Sequence, residues 1–354
     1  METEAKRRDS ATDILKLIAC VGVVVIHVSG QGVLSYAPFT LGWLSCTLWD
    51  SLVRFAVPIF FMCTGALMLS PARELPIKKL WSKYFLRVFF IMMFWAWAYY
   101  IFTVVGQYVM MGWWEPGGLW NSVVQTLRLN HHLHLYYLQI LLLVYAALPL
   151  LRALVRGATD KELDYAVGLW LALGIALPLL LKYPPFNWFS GLLNQAAVNM
   201  TWSAVGYALL GWVMYSRPVR PERLWRYVAA FAVGLVITLG GTLLATKLSG
   251  AVVLDFMEGM SPGPALMSIG IFGAVRILSR DLQASPRLQT LVRASFCVYL
   301  IHHFFIMVFR YIGFDVNLFA PIVEIPLETA VVLALSLCGW WVLSKIPFVK
   351  DHLI

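Results

Sequence analysis

The sequence predicts an all-α, polytopic membrane protein with about ten transmembrane helices and with both termini in the cytoplasm. Of its 354 residues, 60% are hydrophobic and only 13% are charged, whereas soluble domains carry about 25% charged residues. The apolar residues form runs close to the ~20 residues that cross a bilayer as a helix. Basic residues concentrate in every second connection between these runs. Together these observations exclude a soluble globular protein.

The apolar runs divide the chain into ten segments. Their approximate bounds are 11–34, 43–69, 80–111, 135–155, 163–181, 197–215, 224–247, 262–279, 293–312 and 322–345. No long hydrophilic module separates them, so we expect a single transmembrane domain over residues 1–354 without a separate soluble domain. No small-residue cleavage site follows the first run, which favours a retained helix over a signal peptide.

The loops predict the orientation of these helices. One alternating set is strongly basic and contains Lys6, Arg7, Arg8, Arg73, Lys78, Lys79, Arg152, Arg156, Lys161, Arg217, Arg220, Arg223, Arg226, Arg276, Arg280, Arg287, Lys345 and Lys350. The other set mixes few basic residues with acidic ones, namely Arg128, Lys182, Lys247, Arg310, Glu115, Asp255, Glu258, Asp315 and Glu324. The positive-inside rule makes the first set cytoplasmic. Because the +9 net charge is divided among short loops, the expected partners include membrane lipids and exclude nucleic acid.

Cysteine and histidine spacing gives no strong metal signal. All five cysteines lie in apolar runs and no pair has zinc-finger spacing, so we interpret them as small hydrophobic residues. In NHHLHLYYLQ, His131 and His134 share a helical face, which leaves a metal site as an alternative. No carboxylate or cysteine accompanies them nearby, and we expect no metal.

An inner layer of cations lies near the predicted cytoplasmic ends of the first and third segments. It consists of Lys16, Lys83 and Arg87, with Lys78 and Lys79 just outside. Such a layer suits a polyanionic cytoplasmic ligand, for example a phosphate-bearing cofactor. The alternative is that the lysines are interfacial anchors whose ammonium groups snorkel to the membrane surface.

A second polar layer is predicted in the outer half of the membrane. His27 lies ~16 Å beyond Lys16 at 1.5 Å per residue, and Asp50 and Arg54 are four residues apart on one helical face. His134 and His302 fall near the same depth. A histidine there suits proton transfer, although a structural ion pair and a histidine used in helix packing remain alternatives.

The opening helix contains an acidic residue, a basic residue and, after ten intervening residues, a histidine, namely Asp13, Lys16 and His27. This pattern resembles the first-helix motif of the acyltransferase-3 family of bacterial integral-membrane acyltransferases. The family usually has arginine where this chain has Lys16, and an ammonium group does not bind phosphate bidentately.

Four further stretches resemble the family pattern in the expected order. They are VRFAVPIFFMCTGALML, SKYFLRV with Lys83 and Arg87, HLYYLQILLLVYAALPLL with Tyr136 in place of the usual tryptophan, and RASFCVYLIHHFF with Ser295, Tyr299 and His302. The compact layout, without a fused extracytoplasmic domain, resembles most the enterobacterial common antigen O-acetyltransferase type.

The resemblance implies transfer of an acyl group, usually acetyl, from cytoplasmic acyl-CoA to a hydroxyl of an extracytoplasmic or lipid-linked glycan at the bacterial inner membrane. Acetyl-CoA is then the donor substrate. His27 would act as general base or carry the acyl group covalently. The expected catalytic set is His27, Asp13 and His302; the expected donor-binding set is Lys16, Lys83, Arg87 and Lys79; the expected acceptor-binding set is Asp50, Arg54, His134, Tyr136 and Tyr299.

Two other classes of function stay open at this point. A transporter or flippase of a glycan or lipid-linked sugar would line its route with the same polar residues, although the sequence shows no symmetric halves with broken helices. A non-catalytic membrane scaffold would leave the polar layers without a role. A homo-oligomer is compatible with either membrane function.

Overall fold

The computed structural model describes residues 10–114, 117–130, 133–283, 285–314 and 320–354, and it is built from helices. We number them α1 (Ser10–Ser35), α2 (Leu41–Met68), α3 (Ile77–Met110), α4 (Gly118–Leu127), α5 (Tyr136–Gly157), α6 (Asp160–Leu180), α7 (Ser190–Ala196), α8 (Met200–Ser216), α9 (Pro221–Ser249), α10 (Pro262–Leu278), α11 (Pro286–Tyr311), α12 (Pro321–Leu343) and α13 (Pro347–His352). Residues 6–8, Glu115, His131 and Asp315, which entered the sequence argument, lie outside the described residues.

The prediction of an all-α membrane protein is confirmed. In the described ranges, nine helical segments are long and apolar enough to cross a membrane: α1, α2, α3, α5, α6, α9, the segment Asp255–Leu278 that contains α10, α11 and α12. The remaining predicted segment forms α8, whose 17 residues rise about 26 Å, slightly less than the ~30 Å hydrocarbon core. The side chain of Asn199 caps the first turn of α8 and Pro218 follows its last, so the helix cannot lengthen. The orientation of the termini stays a prediction.

A break in α2 lies beside the predicted outer layer. The α-helix Leu41–Val53 stops and restarts as Ala56–Met68, with Arg54 and Phe55 in a turn between them. Pro58 causes this break, because it lacks the N–H that the carbonyl of Arg54 would otherwise accept. The regular helical hydrogen bonding of α2 is therefore interrupted at Arg54 and Phe55.

Glycines let α2 and α8 approach closely. A Cβ added to Gly65 would lie 1.7 Å from the carbonyl oxygen of Ala208, and one added to Gly211 would lie 2.1 Å from that of Met62. Small residues at such crossings are typical of membrane helices, whose association depends on close packing. Either glycine replaced by alanine would force the two backbones apart.

The core of the bundle surrounds α1. This helix packs against α2, α11 and α12, and its residues Leu15, Ala19 and Val24 are fully buried. By contrast, α9 exposes Trp225, Val236 and Leu248, as expected for a surface that faces lipid acyl chains. The polar residues of α1 are therefore held in the middle of the protein.

Candidate active site

A cationic cavity of about 850 Å³ lies towards the end of the bundle where α1 and α11 begin. Six basic residues from α1, α3, α11, the end of α12 and α13 line it: Lys16, Lys83, Arg87, Arg293, Lys345 and Lys350. We call it the inner cavity. Its lining contains no aspartate or glutamate among the described residues, so it suits an anionic ligand with several charges.

The cations of the inner cavity sit on accessible side chains. Lys83 and Arg87 project from neighbouring turns at the start of α3, and both are exposed. A guanidinium nitrogen of Arg87 donates to the main-chain oxygen of Ile354 at 3.1 Å, which brings the segment after α13 to the cavity. Lys16 is half-buried on α1. These groups can move to meet a ligand.

A second cavity, of about 570 Å³, lies further along α1 and α11. Its polar lining contains His27, Asp50, Arg54, His134, Tyr136, His303 and Arg310. We call it the outer cavity. All seven of these side chains are buried or half-buried, so the groups that face it are fixed by packing.

Four imidazole rings meet at the outer cavity. The ring centre of His27 lies 5.2 Å from that of His302, 5.5 Å from that of His303 and 6.1 Å from that of His134. His134 and His303 stack on each other at 4.6 Å. His27 is therefore surrounded by groups that can exchange protons and hydrogen bonds.

His302 lies behind His27 and lines neither cavity. It is fully buried, and its Nδ1 lies 2.7 Å from the carbonyl oxygen of Tyr299 and 3.1 Å from that of Val298. Carbonyl oxygens only accept hydrogen bonds, so Nδ1 carries the hydrogen and Nε2 of the neutral ring is an acceptor. Among the described residues, that Nε2 has no hydrogen-bond partner.

Asp50 and Arg54 form the ion pair that their spacing predicts. Arg54 Nη2 lies 2.6 Å from Asp50 Oδ2, with the side chain of Asp50 fully buried and that of Arg54 21% exposed. Arg54 thus pairs with Asp50 and lines the outer cavity at the same time. Removing the guanidinium alone would leave a buried carboxylate without compensation.

Three aromatic side chains, those of Phe60, Tyr137 and Tyr299, line both cavities. We call them the aromatic wall. Ring centres are 5.5 Å apart between Phe60 and Tyr137 and again between Tyr137 and Tyr299. The hydroxyl of Tyr299 donates to the carbonyl oxygen of His134 at 2.7 Å. The two cavities are thus neighbours that share these three side chains in their linings.

The structure brings most of the predicted site residues to these two cavities. Lys16, Lys83 and Arg87 line the inner cavity, His27, Asp50, Arg54, His134 and Tyr136 line the outer cavity, and Tyr299 lines both. Three predicted residues line neither: Lys79 is exposed, Asp13 is buried near Lys16, and His302 is buried behind His27.

Sequence reasoning did not select several residues that face the cavities. These are His303 and Arg310 in the outer cavity and Arg293, Lys345 and Lys350 in the inner one. The two adjacent histidines indicate His303 as well, but the resemblance of RASFCVYLIHHFF to the family pattern favours its neighbour His302. Arg310, Lys345 and Lys350 belong to the predicted loop charges, and Arg293 begins the ninth predicted segment. The sequence does not show which of these charges converge.

Across the described ranges, no three histidine, cysteine, aspartate or glutamate side chains are arranged to hold a metal ion. His131, the partner of His134 in the metal alternative, lies outside those ranges. The cations of the inner cavity are groups that can bind negative charge, and the imidazoles of the outer cavity are groups that can accept or donate protons.

The fold and the two cavities define a multi-pass membrane protein with adjoining cationic and imidazole-lined chambers. A family model described as an acyltransferase domain matches residues 9–345. The chain therefore belongs to the acyltransferase-3 family and is a membrane acyltransferase. No curated protein and no solved structure shows a significant match to it.

Proposed function

We propose that this acyltransferase moves an acyl group, in the first instance acetyl, from cytoplasmic acyl-CoA to a hydroxyl of an extracytoplasmic or lipid-linked glycan. The expected location is the bacterial inner membrane. The compact layout favours a reaction of the enterobacterial common antigen O-acetyltransferase type. The observation that carries the proposal is the pair of cavities, one cationic and one lined by histidines, on the two sides of the aromatic wall.

The inner cavity supports CoA as the donor. CoA carries several phosphate charges at one end and its thioester at the end of a long, thin pantetheine arm. The six cations of the inner cavity match the phosphates. The pantetheine arm would then pass Phe60, Tyr137 and Tyr299 and present the thioester to the outer cavity.

In the proposed reaction, neutral His27 accepts the proton of the acceptor hydroxyl as its oxygen attacks the thioester carbonyl carbon. The carbon–sulfur bond breaks, the acyl group becomes an ester on the acceptor, and the CoA thiolate takes the proton from His27. Direct transfer needs no covalent enzyme intermediate. Arg54 and Tyr136 line the same cavity and would orient the acceptor.

His302 supports His27 as the base through its tautomer. Because Nδ1 of His302 donates to main-chain carbonyls, its Nε2 can accept the N–H of the adjacent His27 ring. This bond would leave the other nitrogen of His27 with its lone pair free for the acceptor hydroxyl. His302 is thus a positioning residue in this mechanism, in the role that the carboxylate behind the histidine has in catalytic triads.

The experiment follows CoA release from acetyl-CoA by purified protein in nanodiscs, with a cell-envelope extract of glycans and lipids as the acceptor source. We expect His27→Gln to lower the rate by about 10²- to 10⁴-fold, the range for loss of a general base. The control is His352→Gln, because His352 is exposed on α13 and lines neither cavity.

Acetyl-CoA binding is measured on the same samples. Binding that survives in His27→Gln while release is lost supports the proposed base. Release that continues at the wild-type rate in His27→Gln would contradict it, and wild-type protein that neither binds nor consumes acetyl-CoA would exclude this donor.

A further inference from the structure

A smaller cavity, of about 380 Å³, lies at the ends of four helices away from both chambers. The start of α6, the end of α8, the start of α9 and the end of α10 surround it. In the described part of the chain, it shares no lining residue with the inner or the outer cavity. We call it the lateral cavity, and the proposed acyl transfer gives it no role.

Arginine dominates the lateral cavity. Its charged lining residues are Arg217, Arg220, Arg223, Arg276, Asp160 and Asp164. Four guanidinium groups against two carboxylates give the cavity an excess of two positive charges. An arginine presents its N–H groups in a planar fork that matches the oxygens of a phosphate.

Two of these arginines are already bound within the protein. Arg276 donates to the carbonyl oxygens of Met214 and, at 3.1 Å, of Arg217, so it caps the last turn of α8. Arg217 Nη2 lies 2.5 Å from Asp164 Oδ1. These contacts use both groups to hold the helix ends together.

The other two arginines have no such contact. Among the described residues, the side chains of Arg220 and Arg223 have no hydrogen-bond or ion-pair partner; Arg220 is exposed and Arg223 is half-buried. They lie three residues apart at the start of α9 and face the same cavity. Asp160 faces it too, but one carboxylate cannot neutralise both.

The surroundings of the lateral cavity indicate which kind of anionic ligand it would bind. Trp225, on the next turn of α9, is 66% exposed, and the guanidinium of Arg226 lies over its ring at 5.4 Å. An exposed tryptophan beside basic residues is typical of the membrane–water interface. Phospholipid phosphates lie at that depth, and basic pockets between membrane helices bind anionic headgroups.

We propose that the lateral cavity binds the phosphate of an anionic phospholipid, with the guanidinium groups of Arg220 and Arg223 donating to its oxygens. The site would anchor the ends of α6, α8, α9 and α10 to the membrane surface. This proposal does not depend on the identity of the acyl donor or acceptor.

The test counts phosphatidylglycerol molecules that stay bound to the detergent-purified protein by native mass spectrometry, across a titration of that lipid. Each basic residue near an anionic surface contributes about 1 kcal/mol, so we expect the R220Q/R223Q double variant to bind its tightest lipid roughly 30-fold more weakly. The matched control is R226Q, because Arg226 is equally basic, lies on the same helix and does not line the cavity. Phosphatidylcholine replaces phosphatidylglycerol in a parallel titration.

A loss of phosphatidylglycerol in R220Q/R223Q, with R226Q like the wild type and no comparable phosphatidylcholine binding, would support the proposal. Equal losses in the double variant and in R226Q would overturn it, because they indicate diffuse surface charge. Binding of inorganic phosphate that depends on Arg220 and Arg223, without any lipid binding that does, would overturn the lipid as the source. Thermal unfolding of each variant checks that the helix ends remain folded.

Discussion

The inner and outer cavities contain similar numbers of ionisable groups, but these groups differ in how exposed they are. Of the six inner cations, all except Lys16 are exposed, and they belong to long side chains near helix ends. The seven polar side chains named in the outer cavity are buried or half-buried, and Asp50 is fully buried. The inner cavity brings positive charges together on exposed side chains, whereas the outer cavity holds its polar side chains in place by packing. We therefore expect substitutions at the inner cavity to change the stability of the fold little and substitutions at the outer cavity to lower it.

The largest expected effect on stability comes from breaking the Asp50–Arg54 pair. Arg54→Gln leaves the fully buried carboxylate of Asp50 without its counter-charge, which costs about 3 to 5 kcal/mol at buried sites. The variant should lose its fold at a clearly lower temperature in detergent, as followed by tryptophan fluorescence or by aggregation.

The double variant Asp50→Asn/Arg54→Gln is the control for that result. It removes both charges, so we expect it to recover most of the lost stability while acyl transfer stays low. A single variant as stable as the wild type would mean that the outer cavity is as tolerant as the inner one, and the contrast between the cavities would fail.

A smaller effect is expected at the inner cavity. Lys83→Gln/Arg87→Gln removes two of its six cations, and exposed charge pairs contribute about 0.2 to 1 kcal/mol each. The KM for acyl-CoA should rise about tenfold while kcat stays within about twofold, because ground-state binding alone is weakened. Lys161→Gln, an exposed cation outside the cavity, is the control. A fall in kcat without a change in KM would contradict the assignment of this cavity to the donor.

The smallest effect is expected at the aromatic wall. Tyr299→Phe keeps the ring but removes the hydroxyl that donates to the carbonyl oxygen of His134. A buried hydrogen bond contributes about 1 kcal/mol, so kcat should fall roughly fivefold with KM for acyl-CoA unchanged. Tyr299→Ala also opens the wall and should be clearly worse; equal activity of the two variants would show that the ring has no part.

Hydrophobic run length and helical rise predicted much of the architecture. The sequence predicts ten segments, and in the described part of the chain they form nine candidate spans and α8. The estimate of ~16 Å between Lys16 and His27 places them at different levels of α1, and they line different cavities. The level of a residue follows from counting residues along one helix, so it can be predicted from the sequence.

The rotation of one helix relative to its neighbours cannot be predicted from the sequence in the same way. His302 and His303 are neighbours, yet His303 faces the outer cavity and His302 lies behind His27. Lys345 and Lys350 join Lys16 only because α12 and the segment after it return to α1. Such convergence depends on the packing of distant segments, and a single sequence does not specify it in readable form.

The aromatic wall also bears on the electrical integrity of the membrane. The cavities lie towards opposite ends of α1 and α11 and contact the same three rings, those of Phe60, Tyr137 and Tyr299. A continuous file of water through that layer would let ions and protons flow down the transmembrane voltage, at about 2.3 kcal/mol per charge for each 100 mV. We therefore expect these three side chains to close the layer to water and ions whenever no donor passes through it.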